Sequence, residues 1–209
     1  VIINLASDHL ITKLNIFAKS LKTAALAAFE TKKLITVGIK PTFHHAGYEY
    51  IAKGEVVKKY DNISIHKVAD FVKRTDYEKI EKLLAKKIGL WNANNFVWKA
   101  QSLLDEFKLL EPIIYSGLMR IKEAIGTTKE NEVKNTVFQM AKPLQIDFVL
   151  IGRSKNQLSM EAAYDWTDVG DWSVVWEKSP KDIAGNVIQG PHGKGNFVGI
   201  NSQNNLLFL

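Results

Sequence analysis

The order strand, helix, strand at the start of the chain constrains the fold more than any other feature. Residues 1–5 form a short apolar run, residues 15–30 carry apolar side chains at helical spacing, and residues 34–39 form a second apolar run. The second run ends before Pro41. Short continuous apolar runs are typical of strands buried on both faces, and a helix between two of them makes a βαβ unit. The pattern therefore predicts an α/β fold with a mixed, mainly parallel sheet flanked by helices.

The rest of the chain gives weaker signals of the same kind. Strands are predicted at residues 48–52, 66–72, 95–99 and 159–164. Helices are predicted at residues 77–87 after the N-cap Asp76, at 100–110, and at 112–125, where Pro112 suits the first helical position. The polar stretch 126–134 is expected to be a loop.

Composition excludes several classes of protein. The chain has 209 residues and no cysteine, which rules out a disulfide scaffold, an Fe–S cluster, a cysteine zinc site and a thiol nucleophile. No apolar run approaches the ~20 residues that span a bilayer, so no membrane partner is expected. The net charge of +6 permits acidic partners, namely nucleotides, sugar phosphates, nucleic acid or an anionic membrane, and does not choose among them. No nucleic-acid partner is expected, because the aromatic residues are not interleaved with Lys and Arg.

The composition changes near the end of the chain. Residues after 178 are rich in Gly, Asn and Ser, with short apolar runs at 196–200 and 205–209. We therefore predict one domain over residues 1–180 and the start of a C-terminal β region over residues 181–209. Because apolar runs stand at both ends, we expect the chain to be a fragment of a longer protein that lacks its N-terminal part.

Two acidic segments are candidate cation sites. Asp8 follows the first predicted strand, and ligands of open α/β sheets bind beyond the carboxyl ends of strands. Residues 165–172 (D-W-T-D-V-G-D-W) hold three carboxylates beside a glycine. Carboxylate oxygens are the ligands that Mg²⁺ prefers. Each segment also has a structural alternative: Asp8 can cap the next helix, and the second segment can be a polar turn whose Trp166 and Trp172 pack in the core.

Two further segments can face a polar ligand. Residues 38–51 form a long loop in which Gly47 allows close backbone approach. Residues 90–96 (L-W-N-A-N-N-F) carry carboxamides, which both donate to and accept from sugar hydroxyls; the alternative is an asparagine-rich turn. His44 and His45 have no further ligand at a telling spacing and are interpreted as an exposed loop pair. The patterns G-x-x-x-x-G-K-[ST], G-x-G-x-x-G, G-x-S-x-G and H-E-x-x-H do not occur.

Taken in order, these segments resemble the motifs of the mannose-1-phosphate guanylyltransferases (GDP-mannose pyrophosphorylases), in the sugar-nucleotidyltransferase family. Residues 5–11 (L-A-S-D-H-L-I) are similar to P-[AS]-D-H-x-I, and residues 37–51 to [LV]-G-I-x-P-T-x-x-x-T-G-Y-G-Y-I. Residues 90–96 are similar to L-W-N-S-G-M-F. Residues 146–148 (I-D-F) are similar to S-[IV]-D-Y, and residues 165–172 to [DE]-W-S-D-V-G-S-W.

The resemblance implies a partial GT-A-like, Rossmann-like nucleotidyltransferase domain and the reaction GTP + mannose 1-phosphate ⇌ GDP-mannose + pyrophosphate. It implies Mg²⁺ as cofactor, held by Asp8 and Asp168, with Arg74 as a third catalytic residue. The substrate-binding positions that it implies are Gly47, Tyr48, Asn92, Asp147 and Asp165. It further implies GTP and mannose 1-phosphate as partners, GDP-mannose supply for polysaccharide biosynthesis, and a cytoplasmic location; whether the protein is a homo-oligomer stays open.

The sequence departs from the family pattern at several positions. The Gly-rich loop G-G-x-G-T-R-[LF]-x-P, which holds the triphosphate in the family, does not occur, so the chain alone is expected to be inactive. In residues 71–75 (F-V-K-R-T), Lys73 stands where the family pattern F-x-E-K-P has a sugar-binding glutamate, and Arg74 where it has lysine. Gly152 replaces a second glutamate. Two functions stay open: an enzyme of this kind, or a non-catalytic regulatory or scaffolding homologue that binds a sugar nucleotide.

Overall fold

A six-stranded sheet organises the larger part of the molecule. The computed structural model describes residues 1–189, 203–204 and 206–208, which divide into two units. The first unit comprises Val1–Ala6 and Lys13–Asp165, and the second comprises Ser7–Thr12 and the chain from Trp166 onward. The domain boundary predicted after residue 180 stays a prediction.

The strands and helices follow one another along the whole described chain. The strands are β1 (Ile2–Asn4), β2 (His9–Leu10), β3 (Leu34–Ile39), β4 (Tyr50–Tyr60), β5 (Ile63–Val72), β6 (Gly89–Trp98), β7 (Gln157–Glu161), β8 (Thr167–Asp168), β9 (Val187–Gln189) and β10 (Leu206–Phe208). The helices are α1 (Leu14–Thr31), α2 (Tyr77–Ala85), α3 (Ala100–Leu110), α4 (Pro112–Ala124), α5 (Glu130–Met140) and α6 (Trp172–Lys178), with a π-helical turn at Asp147–Ile151.

The sheet of the first unit has the strand order β1-β6-β3-β7-β5-β4, and β4 also pairs with β6. Among the described residues, β3 and β7 are the one parallel pair of this sheet. The prediction of a mixed α/β sheet is confirmed, but the prediction that it is mainly parallel was wrong. Strands β1 and β3 do run in the same direction, as a βαβ unit requires, because each is antiparallel to β6. Strand β6 lies between β1 and β3, so each of these two strands has an antiparallel neighbour in β6.

The core of the first unit lies around β3 and β6. All six residues of β3 are buried, as the apolar run predicted. Leu34 packs in one cluster with Phe96, Trp98 and Ile151. Strand β1 differs from its prediction, because among the described strands it pairs only with β6 and so lies at the sheet edge. Its Ile2 and Ile3 are therefore exposed, not buried.

The helices of the first unit mostly begin and end where local signals predicted. Asp76 caps α2 by accepting a hydrogen bond from the Lys79 N–H at 3.3 Å, and Pro112 begins α4. The predicted loop at 126–134 was wrong in its second half, because α5 begins at Glu130. An i,i+4 ion pair between Glu130 and Lys134 supports this polar helix, and α5 lies against α4.

The second unit is small. Strand β2 pairs with β8 in an antiparallel ladder, and β9 pairs with β10 in a parallel one. Asp171 caps α6 by accepting hydrogen bonds from the Ser173 and Val174 N–H groups. The run predicted at 196–200 lies outside the described residues. Within the described residues, no helix is long and apolar enough to cross a bilayer.

Candidate functional site

The short β2–β8 ladder brings two predicted metal ligands together. Its register places His9 directly opposite Asp168, and Asp8 precedes His9 in a turn. The Asp8 carbonyl accepts a hydrogen bond from the Val169 N–H at 3.0 Å, which fixes the turn against β8. One donor atom from each of Asp8, His9 and Asp168 lies within 4.8 Å of the others. Two carboxylates and an imidazole at this spacing fit a divalent cation; the ligand roles of Asp8 and Asp168 stay a prediction.

Neighbouring residues shape this cluster. The His9 ring packs edge-on against Trp166, with ring centroids 5.0 Å apart. A Cβ added to Gly170 would lie 3.2 Å from Oδ1 of Asp168, so the glycine leaves room around that carboxylate. Burial lowers the pKa of the His9 imidazole below its ordinary value, although the negative charges of Asp168 and Asp8 act in the opposite direction. The neutral imidazole, which is the metal-binding form, is therefore favoured.

The three carboxylates of residues 165–172 have three different surroundings. Asp168 belongs to the cluster just described, and Asp171 caps α6. Asp165 accepts a hydrogen bond from the Lys13 N–H at 2.9 Å, at the start of α1. Its predicted role in substrate binding stays a prediction. The expectation that Trp172 packs in the core was wrong, since Trp172 is 67% exposed.

A second group of predicted site residues lies in the first unit, around strand β6. Asn92 is buried and donates hydrogen bonds from Nδ2 to Oδ1 of Asp147 at 2.7 Å and to Oδ1 of Asn94 at 3.0 Å. Asp147 stands at the start of the π-helical turn. Burial raises the pKa of the Asp147 carboxyl, while the hydrogen bond from Asn92 acts against that rise. The segment 90–96 is thus part of a strand and not the asparagine-rich turn that was the alternative.

The loop before β4 carries Gly47, Tyr48 and Glu49, and it is bound to Arg74. The Arg74 backbone N–H donates to Oε2 of Glu49 at 2.6 Å, and its Nη1 donates to the Gly47 carbonyl at 3.3 Å. The Arg74 Nε lies 3.9 Å from the other carboxylate oxygen of Glu49. The Glu49 carbonyl accepts from the Asn92 N–H at 2.8 Å. Glu49 therefore connects the Arg74 loop, through its carboxylate, to the Asn92 strand, through its carbonyl.

An aromatic cluster supports the same loop. The Tyr48 ring stacks on His45 at a centroid distance of 3.9 Å, and it also contacts Trp91. The His45 Nδ1 accepts from the Gly47 N–H at 3.0 Å. A Cβ at position 47 would lie 2.8 Å from the His45 ring, so only glycine fits without a shift. The interpretation of His44 and His45 as an exposed pair is correct for His44 alone, because His45 is half-buried in this cluster.

Sequence reasoning missed His9, Glu49 and Asn94 as parts of these sites. His9 could have been found from the D-H pair at positions 8–9 if the register opposite Asp168 had been known. Glu49 and Asn94 stand at departures from the family motifs, and their contacts follow only from the fold. An apolar groove of about 750 Å³ between α4 and α5 contains none of the predicted site residues.

Comparison with curated proteins gives one consistent result. The chain is 30% identical over 208 residues to the mannose-1-phosphate guanylyltransferase of Salmonella muenchen, and the match covers 98% of this chain and 41% of that protein. It is 31% identical over 206 residues to the protein of the same name from Sinorhizobium fredii, with 97% and 38% covered. The chain therefore spans less than half the length of these relatives. No protein-family model matches the chain.

Two solved structures share the fold. The crystal structure of mannose-1-phosphate geranyltransferase from Thermus thermophilus superposes with a TM-score of 0.74 at 20% identity, covering 99% of this chain and 57% of that one. Mannose-6-phosphate isomerase from Helicobacter pylori gives 0.62 at 22% identity, covering 79% and 63%. At these identities the structures show the fold alone. The α/β nucleotidyltransferase-like fold and the resemblance to mannose-1-phosphate guanylyltransferases, which are enzymes by name, are confirmed.

Proposed function

We propose that this chain is the metal-binding and sugar-binding part of a guanylyltransferase that joins GTP and mannose 1-phosphate into GDP-mannose and pyrophosphate. The observation that carries the proposal is the meeting of Asp8 and Asp168 within 4.8 Å in a chain that is similar over 98% of its length to enzymes of that name. The proposal includes a cytoplasmic location and a role in polysaccharide biosynthesis, as the resemblance implies.

The reaction asks little covalent chemistry of the protein. A phosphate oxygen of mannose 1-phosphate attacks the α-phosphorus of GTP in line, and pyrophosphate leaves from the opposite side. Catalysis of this kind depends on alignment and on neutralisation of charge, so that no protein nucleophile is needed. A divalent cation held by Asp8 and Asp168 would supply that neutralisation, and Mg²⁺ is the cation that the resemblance implies.

Residues of the first unit bind and orient the sugar phosphate in this proposal. Arg74 is half exposed, and its guanidinium, already oriented by Glu49 and the Gly47 carbonyl, is suited to a phosphate group. Asn92 holds one carboxylate oxygen of Asp147, and the other can accept a hydrogen bond from a sugar hydroxyl. Gly47 and Tyr48 are further substrate-binding residues in this proposal, and the Tyr48 ring contacts Trp91, which precedes Asn92 in β6.

The 209 residues alone are expected to release no pyrophosphate, because no stretch of them carries the Gly-rich triphosphate loop. The function is therefore tested in the full-length protein, by pyrophosphate release from GTP and mannose 1-phosphate. Asp168→Asn should lower kcat/KM by about 100-fold or more, the usual cost of removing one transition-state contact.

The matched control is Asp171→Asn, three residues further along. Its carboxylate caps α6, and asparagine caps a helix about as well as aspartate, so kcat/KM should change by less than about threefold. If both variants keep full activity, the proposed reaction centre is wrong.

The departures at Lys73 and Gly152 favour a second candidate, a non-catalytic homologue that binds a sugar nucleotide. Position 73 is an exposed lysine and position 152 is the glycine that ends the π-helical turn. Neither side chain is a carboxylate that could bind a sugar. The two candidates separate in one experiment: GDP-mannose binding by isothermal titration, with no pyrophosphate release by the full-length protein, would decide for the second.

A further inference from the structure

We propose that His9 is a third protein ligand of the cation held by Asp8 and Asp168, and that the site therefore prefers Mn²⁺ to Mg²⁺. The inference rests on the proposed function for the two carboxylates and adds the imidazole and the choice of metal. Its support comes from the strand register, from the spacing of the donor atoms and from the chemistry of the donor set.

The strand register brings the imidazole to the carboxylates. In the β2–β8 ladder His9 and Asp168 are directly opposed, and opposed residues of an antiparallel pair have their Cβ atoms about 4.5–5.5 Å apart on one face. Asp8 stands in a turn before the strand, so it is not held to the opposite face as a regular strand neighbour would be. Asp8 is anchored through its carbonyl and the Val169 N–H.

The spacing of the donor atoms suits one ion. Bonds of about 2.0–2.1 Å in an octahedral site place neighbouring donors about 3 Å apart and opposite donors about 4.2 Å apart. The donor atoms of Asp8, His9 and Asp168 lie within 4.8 Å of one another, so the side chains have to rotate toward one another to reach one centre. Gly170 leaves space for such a rotation of the Asp168 carboxylate, because any residue other than glycine would place its Cβ 3.2 Å from the Asp168 Oδ1.

The donor set bears on the choice between Mg²⁺ and Mn²⁺. Mg²⁺ prefers oxygen ligands and gives up its water reluctantly. Mn²⁺ takes carboxylate oxygens as Mg²⁺ does, and although it stands at the weak end of the first-row transition-metal series, it accepts a nitrogen ligand more readily than Mg²⁺. Trp166 packs edge-on against the His9 ring and limits its rotation, as a supporting residue around a metal ligand does. The two carboxylates also balance the charge of a divalent ion.

Titration of Mn²⁺ into the full chain, with free Mn²⁺ followed by electron paramagnetic resonance, tests the proposal directly. Mg²⁺ affinity is obtained by competition. We expect Mn²⁺ to bind at least about tenfold more tightly than Mg²⁺. His9→Gln should lower Mn²⁺ affinity by about tenfold or more and leave Mg²⁺ affinity nearly unchanged, whereas His66→Gln, at a half-buried histidine of β5 outside the cluster, should change neither.

A spectroscopic signature keeps the test decisive even if a variant folds poorly. Mn²⁺ bound to the unaltered chain should show electron spin-echo modulation from a coordinated ¹⁴N nucleus. Absence of that modulation, or equal affinities for Mn²⁺ and Mg²⁺, overturns the role of His9. Asp168→Asn separates the two levels of inference. If Asp168→Asn abolishes binding of both ions while His9→Gln changes nothing, only the assignment of His9 as third ligand is wrong. If neither variant changes the binding of either ion, the carboxylate site of the proposed function is wrong as well.

Discussion

Asn94 gives a sharp test of how strand β6 presents Asn92. Its backbone φ is +53°, in the left-handed region. The β3–β6 register shifts at the same place, since Val37 lies opposite Asn95 and Gly38 lies opposite Asn92. Ala93 and Asn94 are therefore extra residues in a β-bulge. The family motif L-W-N-S-G-M-F has glycine where this chain has Asn94, and asparagine is the residue that best tolerates such a conformation after glycine.

The expected free energies follow from comparing two substitutions at this one position. Asn94→Ala and Asn94→Gly both remove the acceptor for the Asn92 amide, a loss of about 0.5–1.5 kcal/mol that cancels between them. Alanine then carries the left-handed penalty of about 1–2 kcal/mol. Glycine avoids it but loses about 0.5–1 kcal/mol of extra chain entropy. Asn94→Gly should therefore be the more stable variant by about 0.5–1 kcal/mol.

Urea unfolding of both variants, followed by tryptophan fluorescence, measures this difference. The control pair is Lys59→Ala and Lys59→Gly, at an exposed position of β4 opposite Ser64. At that regular strand position the order should reverse, with glycine less stable by about 0.5–1 kcal/mol. If alanine is as stable as glycine at position 94, the left-handed bulge is not the reason for the asparagine, and the account of how Asn92 is presented is wrong.

Three further predictions test the packing and the electrostatics of the first unit. Burial raises the pKa of Tyr164 to about 12 from 10.0, so the protonated phenol stabilises the folded state fully below pH 10, and this stabilisation is lost as pH rises through 12. The free energy of unfolding measured with urea should therefore fall between pH 8 and pH 11 by about 1.4 kcal/mol less in Tyr164→Phe than in the unaltered protein. Gly38→Ala places a Cβ 2.7 Å from the Leu90 Cβ and should lower the free energy of unfolding by about 1–3 kcal/mol, a prediction that an unchanged urea midpoint contradicts. A double-mutant cycle of Glu49→Gln and Arg74→Ala should give a coupling energy of about 0.5–1 kcal/mol, because the guanidinium is half exposed; zero coupling would mean that the pair is incidental.

Local signals in the sequence were enough for the elements whose stability is local. Helices α2 and α4 carry their own N-terminal signals, Asp76 and Pro112, and β3 is a mostly apolar run that is buried along its whole length. Much of the β4–β5 hairpin was missed, because residues 53–60 mix Lys and Glu with a glycine and two valines, and residues 55–59 are exposed, so that no clear alternation marks this strand. The antiparallel character of the sheet was missed for a related reason, since nothing local indicates that β6 lies between β1 and β3.

The residues of the candidate sites also divide into those that the sequence predicted and those that depend on the fold. Asp8 and Asp168 were predicted because their motifs resemble those of a family, and the structure brings them together. The place of His9 beside them depends on the register of two strands of two residues each, a property that no local pattern encodes. Trp172 shows the opposite case: a tryptophan in an acidic segment suggested core packing, whereas its position at the start of α6 leaves it exposed.

The departures from the family motifs have a different meaning once the contacts are known. Considered one motif at a time, glutamate for glycine at position 49 and arginine for lysine at position 74 are two separate losses. In the structure they meet: Glu49 accepts from the Arg74 backbone N–H at 2.6 Å, and the guanidinium reaches the Gly47 carbonyl. A lysine ammonium is a single point of charge, whereas the planar fork of arginine can contact a carboxylate and a carbonyl at once. The two changes are thus in contact, since the Glu49 carboxylate accepts from the backbone of residue 74 and lies 3.9 Å from its guanidinium. The double-mutant cycle at these two positions therefore measures whether the two changes depend on each other.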